Sequence, residues 1–497
     1  MVTSEHPGFL AGCQVKPEAD FAPGIEKAFA LNPRDTAYFV EDISGRVPAY
    51  ISGSYYLNGP ASFSRGDLHY RHWLDGDGMV CRLRFNQDGV HFASRFVRTT
   101  KFNVEQETGR PVFRTFGTEF PGDVLKRGMA LESPGNVSAY PFHGVLLACG
   151  EQALPWELDP DTLETVGPYT FGGALNEMSP FAAHPKFDLK TGEMFNFGTF
   201  FSGVQPKLCL YCFDQTGKLR RRANYPMKYP SSIHDFALSE SYLVFYVSPY
   251  LLDIHSLTHE HRSLMDSLQW RPELGSQLQI FSREKAELVA SVPLPGRYCL
   301  HLINCFEEDR RLIVDVIELE RPVYDQYQPL PDLFADVAAG GPVRLVVNLE
   351  TKGLVSRHEV DYRLAPDFPS VDPTLATRPY IEFWMLGVSN TGHRGRKFFD
   401  ELAHARWDQS QPAGVFRAQS GCYLGGEPIF LGSPDSTEGA VICQQFDANR
   451  EESSFLIFNA RDVGNGPVAT LRLRDPIHLG FHASFSSGAQ NRWSTSP

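Results

Sequence analysis

The sequence lacks the features that would place it across a membrane or on a nucleic acid. Among its 497 residues, no window approaches the roughly 18 apolar residues of a spanning helix. The net charge is −13, so the basic footprint needed for nucleic-acid binding is missing. The stretch from Met1 to Gly12 has neither a basic start nor a long apolar core, so no signal peptide is predicted. These absences favour a cytoplasmic location.

The interior contains no Ser/Gly linker, charge block or low-complexity segment at which domains would divide. We therefore predict one domain over residues 1–497. Residues 1–35 are expected to form an irregular N-terminal extension, with one short helix near Gly24 to Leu31.

The cysteines are few and lie among apolar residues, so they do not suggest a disulfide framework. The nine cysteines are odd in number and mostly occupy strand-like runs, which is typical of reduced, buried thiols. Cys209 and Cys212 form a C-x-x-C pair within an apolar strand pattern that has no turn. A zinc or redox role for that pair is therefore disfavoured.

What the sequence has in abundance is short strands. The 36 prolines and 42 glycines punctuate the chain, and hairpins of similar design recur, such as the one from Phe187 to Phe195. This pattern predicts an all-β fold, a β-propeller, for which seven blades would average roughly 70 residues each. An array of β-sandwiches is the alternative. The best helix candidate is Phe398 to Trp407.

Two glycine-containing motifs near the N-terminus predict turns. Asn58-Gly59-Pro60 is a strong turn signal after a strand-like run. Asp75-Gly76-Asp77-Gly78 predicts a tight turn leading into a strand. The same aspartates suggest calcium, but an EF-hand loop would need glutamate where Arg84 stands, so the structural interpretation is favoured.

Four of the sixteen histidines lie in apolar, strand-like surroundings: His184, His234, His301 and His482. A propeller brings the strands of different blades to one axis, so these distant residues could meet at one metal ion. Their spacing matches no local metal motif. The alternative for each is a core histidine bonded to a backbone carbonyl.

Several segments together carry a family resemblance. The segment His72-Trp73-Leu74-Asp75-Gly76-Asp77-Gly78-Met79, after Asn58-Gly59-Pro60, resembles the N-terminal signature of the carotenoid cleavage oxygenases. The resemblance continues in the same order through Ala183-His184-Pro185, Ile233-His234-Asp235-Phe236, His301 to Glu307, Gly426 to Phe430, and Gly480-Phe481-His482. It implies a seven-bladed β-propeller whose loops and short helices form a dome over an axial metal site.

The resemblance also implies a metal centre and its supports. One Fe(II) per chain would be held by His184, His234, His301 and His482, which leaves coordination positions open for dioxygen. Carboxylates would accept hydrogen bonds from the ring N–H groups that face away from the metal. Glu151 is expected to serve His234, Glu427 to serve His482, and Asp367 to serve His301. Because family members usually carry glutamate in place of Asp367, either the backbone moves closer there or the contact lengthens.

The activity implied by the resemblance is oxidative cleavage of a conjugated C=C bond. Dioxygen and a hydrophobic polyene would be the reactants, two carbonyl compounds the products, and no external reductant would be needed. A carotenoid or apocarotenoid substrate would reach the iron through an apolar tunnel. Its expected lining is Phe102, Ile233, Leu300 and Phe368.

Two alternative functions stay open. Stilbene-cleaving relatives grip a phenol with a tyrosine and a lysine, whose matching positions here are taken as Phe102 and Gly150. Neither side chain can bind a phenol oxygen, so the carotenoid or apocarotenoid substrate is favoured. The other alternative is a non-catalytic propeller that serves as a binding scaffold and holds no metal.

Two apolar segments could bring the tunnel mouth to a membrane, because carotenoids reside in lipid. They are the insertion from Tyr250 to Trp270 and the stretch from Leu330 to Phe334. We expect a possible monotopic contact there. The alternative is that both segments pack on the propeller.

Overall fold

Short antiparallel strands make up most of the structure, a computed structural model that describes residues 20–126, 130–201, 205–323, 328–433 and 437–487. The strands form seven sheets of four or five strands each, arranged as the blades of a β-propeller. The predicted all-β propeller is therefore confirmed, and the sandwich alternative is wrong.

Five of the blades are built from four strands that follow one another along the chain. From the innermost strand outward, blade 2 contains Ser138–Phe142, Val145–Cys149, Trp156–Leu158 and Thr165–Pro168; blade 3 contains Lys186–Asp188, Glu193–Phe200, Lys207–Phe213 and Leu219–Pro226; blade 4 contains Ala237–Leu238, Tyr242–Val247, Ser276–Ser282 and Leu288–Leu294; blade 5 contains Tyr298–Glu308, Arg311–Leu319, Gly340–Asn348 and Gly353–Glu359; and blade 6 contains Asp367–Ser370, Glu382–Gly387, Glu401–Arg406 and Gly414–Arg417.

Blades 1 and 7 combine strands from both ends of the chain and so close the ring. Blade 1 contains Ala483–Ser486, Gly53–Ala61, Asp77–Asn86, Gly89–Phe96 and Thr36–Phe39; blade 7 contains Cys422–Gly432, Gly439–Asp447, Glu452–Asn459, Pro467–Arg472 and Ile43–Gly45. In blade 1, the last strand pairs antiparallel with an early one, from Leu57 opposite Ala483 to Ser54 opposite Ser486. This pairing joins the two ends of the described chain at the propeller axis.

Within the described ranges, helical structure is limited to short pieces. The α-helices are α1 (Glu26–Phe29), α2 (Thr100–Thr108) and α3 (Ile254–Thr258); 3-10 turns span Trp73–Asp75, Met265–Ser267, Pro272–Leu274, Pro373–Leu375 and Val463–Asn465; two small sheets pair Ser64–Arg65 with Leu68–His69 and Tyr250–Leu252 with Leu268–Trp270. Helix α1 lies where the N-terminal extension was predicted to contain a helix. The Thr99 side chain caps α2 by accepting the Phe102 N–H at 3.1 Å.

The core lies between neighbouring blades. In blade 5, Leu312 and Val314 pack toward residues of blade 4, whereas Ile313 and Ile317 pack toward residues of blade 6. Because successive side chains of a strand point to opposite faces, a blade covered on both faces needs apolar residues at consecutive positions. This explains the continuous apolar runs that mark the strands in the sequence.

The helix predicted from Phe398 to Trp407 is wrong. Glu401–Arg406 is the third strand of blade 6, and it pairs with Glu382–Gly387 on one side and Gly414–Arg417 on the other. Its composition favours a helix, but pairing on both edges and burial of most of its side chains outweigh that weak local preference.

The turn predicted at Asn58-Gly59-Pro60 is also wrong, because all three residues continue the strand Gly53–Ala61. A Cβ at Gly59 would lie 2.6 Å from the Gly480 Cα, so close packing of two backbones explains the glycine. The predicted turn at Asp75 to Gly78 is present as the 3-10 turn followed by the strand Asp77–Asn86. Protein donors occupy the oxygens of both aspartates, as when Asp75 accepts from the Gly117 N–H at 2.7 Å.

The cysteines within the described residues are all buried and free. Cys209 and Cys212 lie in one strand of blade 3, as the apolar pattern indicated. Cys13 lies outside the described residues.

Candidate metal centre

Each of the seven blades contributes one residue to a cluster on the axis. Four blades contribute histidines: His482 precedes the innermost strand of blade 1, His184 precedes that of blade 3, His234 precedes that of blade 4, and His301 lies within that of blade 5. The other three blades contribute carboxylates: Glu151 follows the second strand of blade 2, Asp367 begins blade 6, and Glu427 lies in the innermost strand of blade 7. The radial order of the propeller thus assembles residues that are far apart in the chain.

The four histidines meet as the sequence analysis predicted. One ring nitrogen from each lies within 4.8 Å of the corresponding nitrogens of the other three. The Nε2 atoms of His184 and His234 are 2.9 Å apart, and those of His234 and His301 are 3.1 Å apart. Among the described residues this is the one group of His, Cys, Asp or Glu side chains arranged to hold a metal ion.

A carboxylate lies behind three of the four rings. Nδ1 of His301 lies 2.5 Å from Oδ1 of Asp367, and Nδ1 of His482 lies 3.2 Å from Oε2 of Glu427. Nδ1 of His234 lies 2.5 Å from Oε1 of Glu151. Such contacts favour the Nδ1–H tautomer and leave the Nε2 lone pairs directed at the cluster centre.

The contact at Asp367 is short, so the lengthened contact foreseen for an aspartate at this position is not seen. The pairing of Asp367–Ser370 with Glu382–Gly387 is irregular between Asp367 and Ser370. A β-bulge of this kind can re-aim a side chain.

The backbone beside each carboxylate is unusual. Gln152, which follows Glu151, has φ +54°, and Phe368, which follows Asp367, has φ +51°. Gly426, which precedes Glu427, has φ +71°. A left-handed conformation costs a non-glycine residue about 1 kcal/mol or more, and such strain is concentrated at functional sites. Register shifts also flank His301 and Glu427.

Burial and neighbouring charges shift the pKa values of these groups in different directions. Burial, reinforced by the neighbouring histidines, holds the pKa of His184 and of His482 well below the usual value, so both rings are neutral. Burial also acts to lower the pKa of His234, but the negative charge of Glu151 outweighs it and raises the pKa. Burial raises the pKa of Glu427 to about 7.

The donor set fits a divalent transition metal. If Glu151 and Asp367 accept Nδ1–H, then His234 and His301 present two lone pairs to each other across 3.1 Å. Two such lone pairs repel unless one cation binds both. Four imidazoles with no ligating carboxylate suit a divalent metal such as iron, copper, nickel or zinc, and they leave coordination positions open.

An apolar cavity opens beside the cluster. His234, His301 and His482 line it together with aromatic side chains that include Trp73, Phe116, Phe334, Phe368, Phe398 and Phe481. Ile233, Leu300 and Phe368, three of the four residues expected to line a tunnel, are part of this wall. The Phe368 ring centroid lies 4.9 Å from that of His482 and 5.7 Å from that of His301.

Phe102, the fourth residue expected to line a tunnel, does not lie among the described residues that line this cavity. It belongs to α2, where its ring stacks on Phe96 with centroids 5.1 Å apart. Arg98 and Arg65 lie over the same ring, at 5.4 and 5.8 Å. Phe116 supplies the aromatic wall instead. Its only sequence signal is a phenylalanine-rich stretch between Phe113 and Phe120, which does not indicate where those rings point.

The two segments expected to touch a membrane instead pack inward. In the insertion, Leu257 and Met265 are buried, while Tyr250, Leu252, Leu264 and Leu268 line the cavity. Leu333 is buried and Phe334 also lines the cavity. Neither segment has a strongly exposed large apolar side chain among its described residues, so the alternative of packing on the propeller is supported. No helix in the described residues is long and apolar enough to cross a membrane.

The chain shares its sequence features with characterised oxygenases. A family model described as retinal pigment epithelial membrane protein matches residues 30–487. The apocarotenoid-15,15′-oxygenase of Synechocystis is 28% identical, with 93% of this chain and 95% of that protein covered. The isoeugenol monooxygenase of Pseudomonas nitroreducens is 26% identical, covering 89% and 93%. Resveratrol cleavage oxygenase 1 of Aspergillus fumigatus is 28% identical, covering 90% and 92%.

Solved structures share the fold. A single-residue variant of the Synechocystis apocarotenoid oxygenase superposes with a TM-score of 0.85 at 25% identity, covering 94% of this chain and 100% of that one. A cobalt-substituted form of the Synechocystis enzyme gives a TM-score of 0.84 with the same coverage.

Proposed function

Because this chain belongs to the retinal pigment epithelial membrane protein family, we propose that it is a non-haem Fe(II) dioxygenase that cleaves a conjugated C=C bond. The observation that carries the proposal is the convergence of four ring nitrogens beside an apolar, aromatic-lined cavity. One Fe(II) per chain would be held by His184, His234, His301 and His482, with Glu151, Asp367 and Glu427 orienting three of the rings.

The bound iron would activate dioxygen, and the protein residues would position the substrate. The aromatic wall excludes water and holds the planar polyene in one orientation relative to the histidines. Phe368, against the rings of His301 and His482, would set the closest approach of the substrate. Ile233 and Leu300, each next to a metal-binding histidine, would narrow the cavity there.

The reaction balances without another reactant. One C=C bond and the O–O bond of one dioxygen molecule break, and two C=O bonds form. Each product receives one oxygen atom, so no external reductant is required and no proton is gained or lost overall.

We propose an apocarotenoid or carotenoid as the substrate. The lining is largely apolar, and the relative with 28% identity and 95% coverage is named for apocarotenoid cleavage. A phenolic substrate is the second candidate, because relatives of similar identity are named for isoeugenol and resveratrol. Tyr250, Tyr298 and Lys397 are polar residues of the wall that a phenol could contact.

One set of incubations separates these possibilities. The purified protein is loaded with Fe(II), and its iron content and dioxygen uptake are measured with an apocarotenal, resveratrol and isoeugenol in turn. We expect one iron per chain, loss of polyene absorption and equal consumption of dioxygen and apocarotenal. If only resveratrol or isoeugenol is cleaved, the substrate is a phenol and the proposed apocarotenoid is wrong. Failure to bind Fe(II) would support the alternative of a non-catalytic binding scaffold.

A further inference from the structure

A partly buried ion pair adjoins the histidines and belongs to neither the carboxylates already described nor the cavity wall. Nζ of Lys186 lies 2.8 Å from Oδ1 of Asp235. Lys186 follows His184 by two residues, and Asp235 directly follows His234. The Asp235 side chain is 2% exposed and the Lys186 side chain 29% exposed, so water screens the attraction only in part.

The second oxygen of Asp235 reaches a third histidine segment. Its Oδ2 accepts the backbone N–H of Leu302, the residue after His301, at 2.9 Å. One carboxylate therefore touches the segments that carry His184, His234 and His301, which come from blades 3, 4 and 5.

We propose that Asp235 is a positioning residue that fixes the mutual spacing of His184, His234 and His301, with Lys186 as its essential counter-ion. This rests on the proposed metal-binding function. Glu151, Asp367 and Glu427 each orient one ring. Asp235 instead fixes the distances between the backbone segments that carry the rings.

The irregular backbone of blade 5 explains why His301 needs the support of Asp235. The pairing of the strand Tyr298–Glu308 with its neighbour shifts register between Cys299 and Leu302 and again between Leu302 and Asn304. His301 thus lies where regular sheet hydrogen bonds are interrupted. The bond from Leu302 to Asp235 replaces a ladder bond at that point and fixes the bulge against blade 4.

The test compares Asp235→Asn with Asp315→Asn, at an ion pair that involves no residue of the cluster. Asp315 is fully buried in the second strand of blade 5 and accepts from Arg344 at 2.8 and 2.9 Å. Asp315→Asn therefore controls for the general cost of breaking a buried pair. Both variants are loaded with Co²⁺, whose visible absorption reports ligand geometry.

We expect Asp235→Asn to weaken Co²⁺ and Fe²⁺ affinity about 10- to 100-fold, the range found when groups supporting metal ligands are removed. Its Co²⁺ absorption bands should shift. Asp315→Asn should lower the melting temperature of the apoprotein while leaving metal affinity and the Co²⁺ spectrum unchanged. If Asp235→Asn behaves like Asp315→Asn in all three measurements, the proposal is overturned.

A second variant keeps the test decisive if Asp235→Asn does not fold. Lys186→Gln removes the counter-ion but leaves the Leu302 bond, so we expect a several-fold loss of metal affinity and a smaller spectral shift. Unchanged affinity in a folded Lys186→Gln protein would contradict the role of the pair. Wild-type protein that binds neither metal would instead contradict the metal-binding function itself, so the two failures are distinguishable.

Discussion

The histidines and the cavity wall beside them are built on different principles. Three of the histidines are held by contacts with carboxylates of other blades, as between His301 of blade 5 and Asp367 of blade 6. The cavity wall consists of aromatic and aliphatic side chains that make few directional contacts, such as Phe368 and Leu300. Hydrogen bonds and ion pairs fix atoms in place, whereas apolar packing fixes mainly shape and volume. Metal binding and substrate choice should therefore respond to separate sets of mutations.

The largest effect is expected from removal of one histidine. His301→Ala takes away one of four nitrogens and leaves Asp367 buried without its partner, so bound iron and activity should both be lost. Metal analysis and dioxygen uptake measure this. His478→Leu is the matched control, since His478 is also buried but lies outside the cluster, and it should retain iron. Full activity in the His301→Ala variant would contradict the proposed metal site.

The next effect concerns the carboxylates. Asp367→Asn keeps the side-chain size but removes the charge that His301 Nδ1–H contacts, so we expect iron affinity to fall about 10- to 100-fold. Chelator competition measures the change. Asp367→Glu should retain iron and lower activity a few-fold, because a 2.5 Å contact leaves no room for another methylene. Equal affinities in Asp367→Asn and wild type would show that the charge is not required.

A change in the wall should affect the substrate and spare the metal. Phe368→Leu removes the ring that faces His301 and His482. We expect kcat/KM for the polyene to fall about tenfold, or about 1.4 kcal/mol of transition-state stabilisation, with iron content unchanged. Iron loss comparable to that of Asp367→Asn would mean that the wall and the carboxylates are not separable.

The smallest effect should arise at Gly150, which adjoins Glu151 at the border of the two regions. A Cβ there would lie 2.2 Å from the Ser133 Oγ. Gly150→Ala should destabilise the protein by about 1 kcal/mol, since the hydroxyl can move only by giving up its bond from the Gly135 N–H. Thermal unfolding measures the change. Adding Ser133→Ala should restore stability, and a double variant as unstable as Gly150→Ala would exclude the proposed clash.

The same division explains how much could be predicted from the sequence. Apolar runs broken by turn residues favoured the propeller over an array of sandwiches and agree with blades that bury both faces. The four histidines were marked by their apolar neighbours, and the resemblance supplied the seven-blade count and the three carboxylates. Local signals failed where tertiary contacts outweighed them, as at Glu401–Arg406, which pairs on both edges.

Other features have no local signature at all. Phe102 and Phe116 are both aromatic and close in the chain, yet only Phe116 faces the cavity, because Phe102 is fixed in α2 between Phe96 and two arginines. The left-handed backbone at Phe368 is equally hidden, since phenylalanine rarely adopts that conformation. The reach of Asp235 to Leu302 depends on a bulge that the sequence pattern does not reveal.

The division of the cluster among seven blades has a consequence for biosynthesis. His184, His234 and His301 emerge from the ribosome well before His482, which immediately precedes the strand that closes blade 1. A nascent chain therefore lacks the fourth nitrogen until His482 has been synthesised, and the strand Ala483–Ser486 that follows it also closes blade 1. The complete set of four nitrogens is thereby reserved for chains in which the ring has closed. A chain that ends before His482 would keep three histidines and bind metal more weakly.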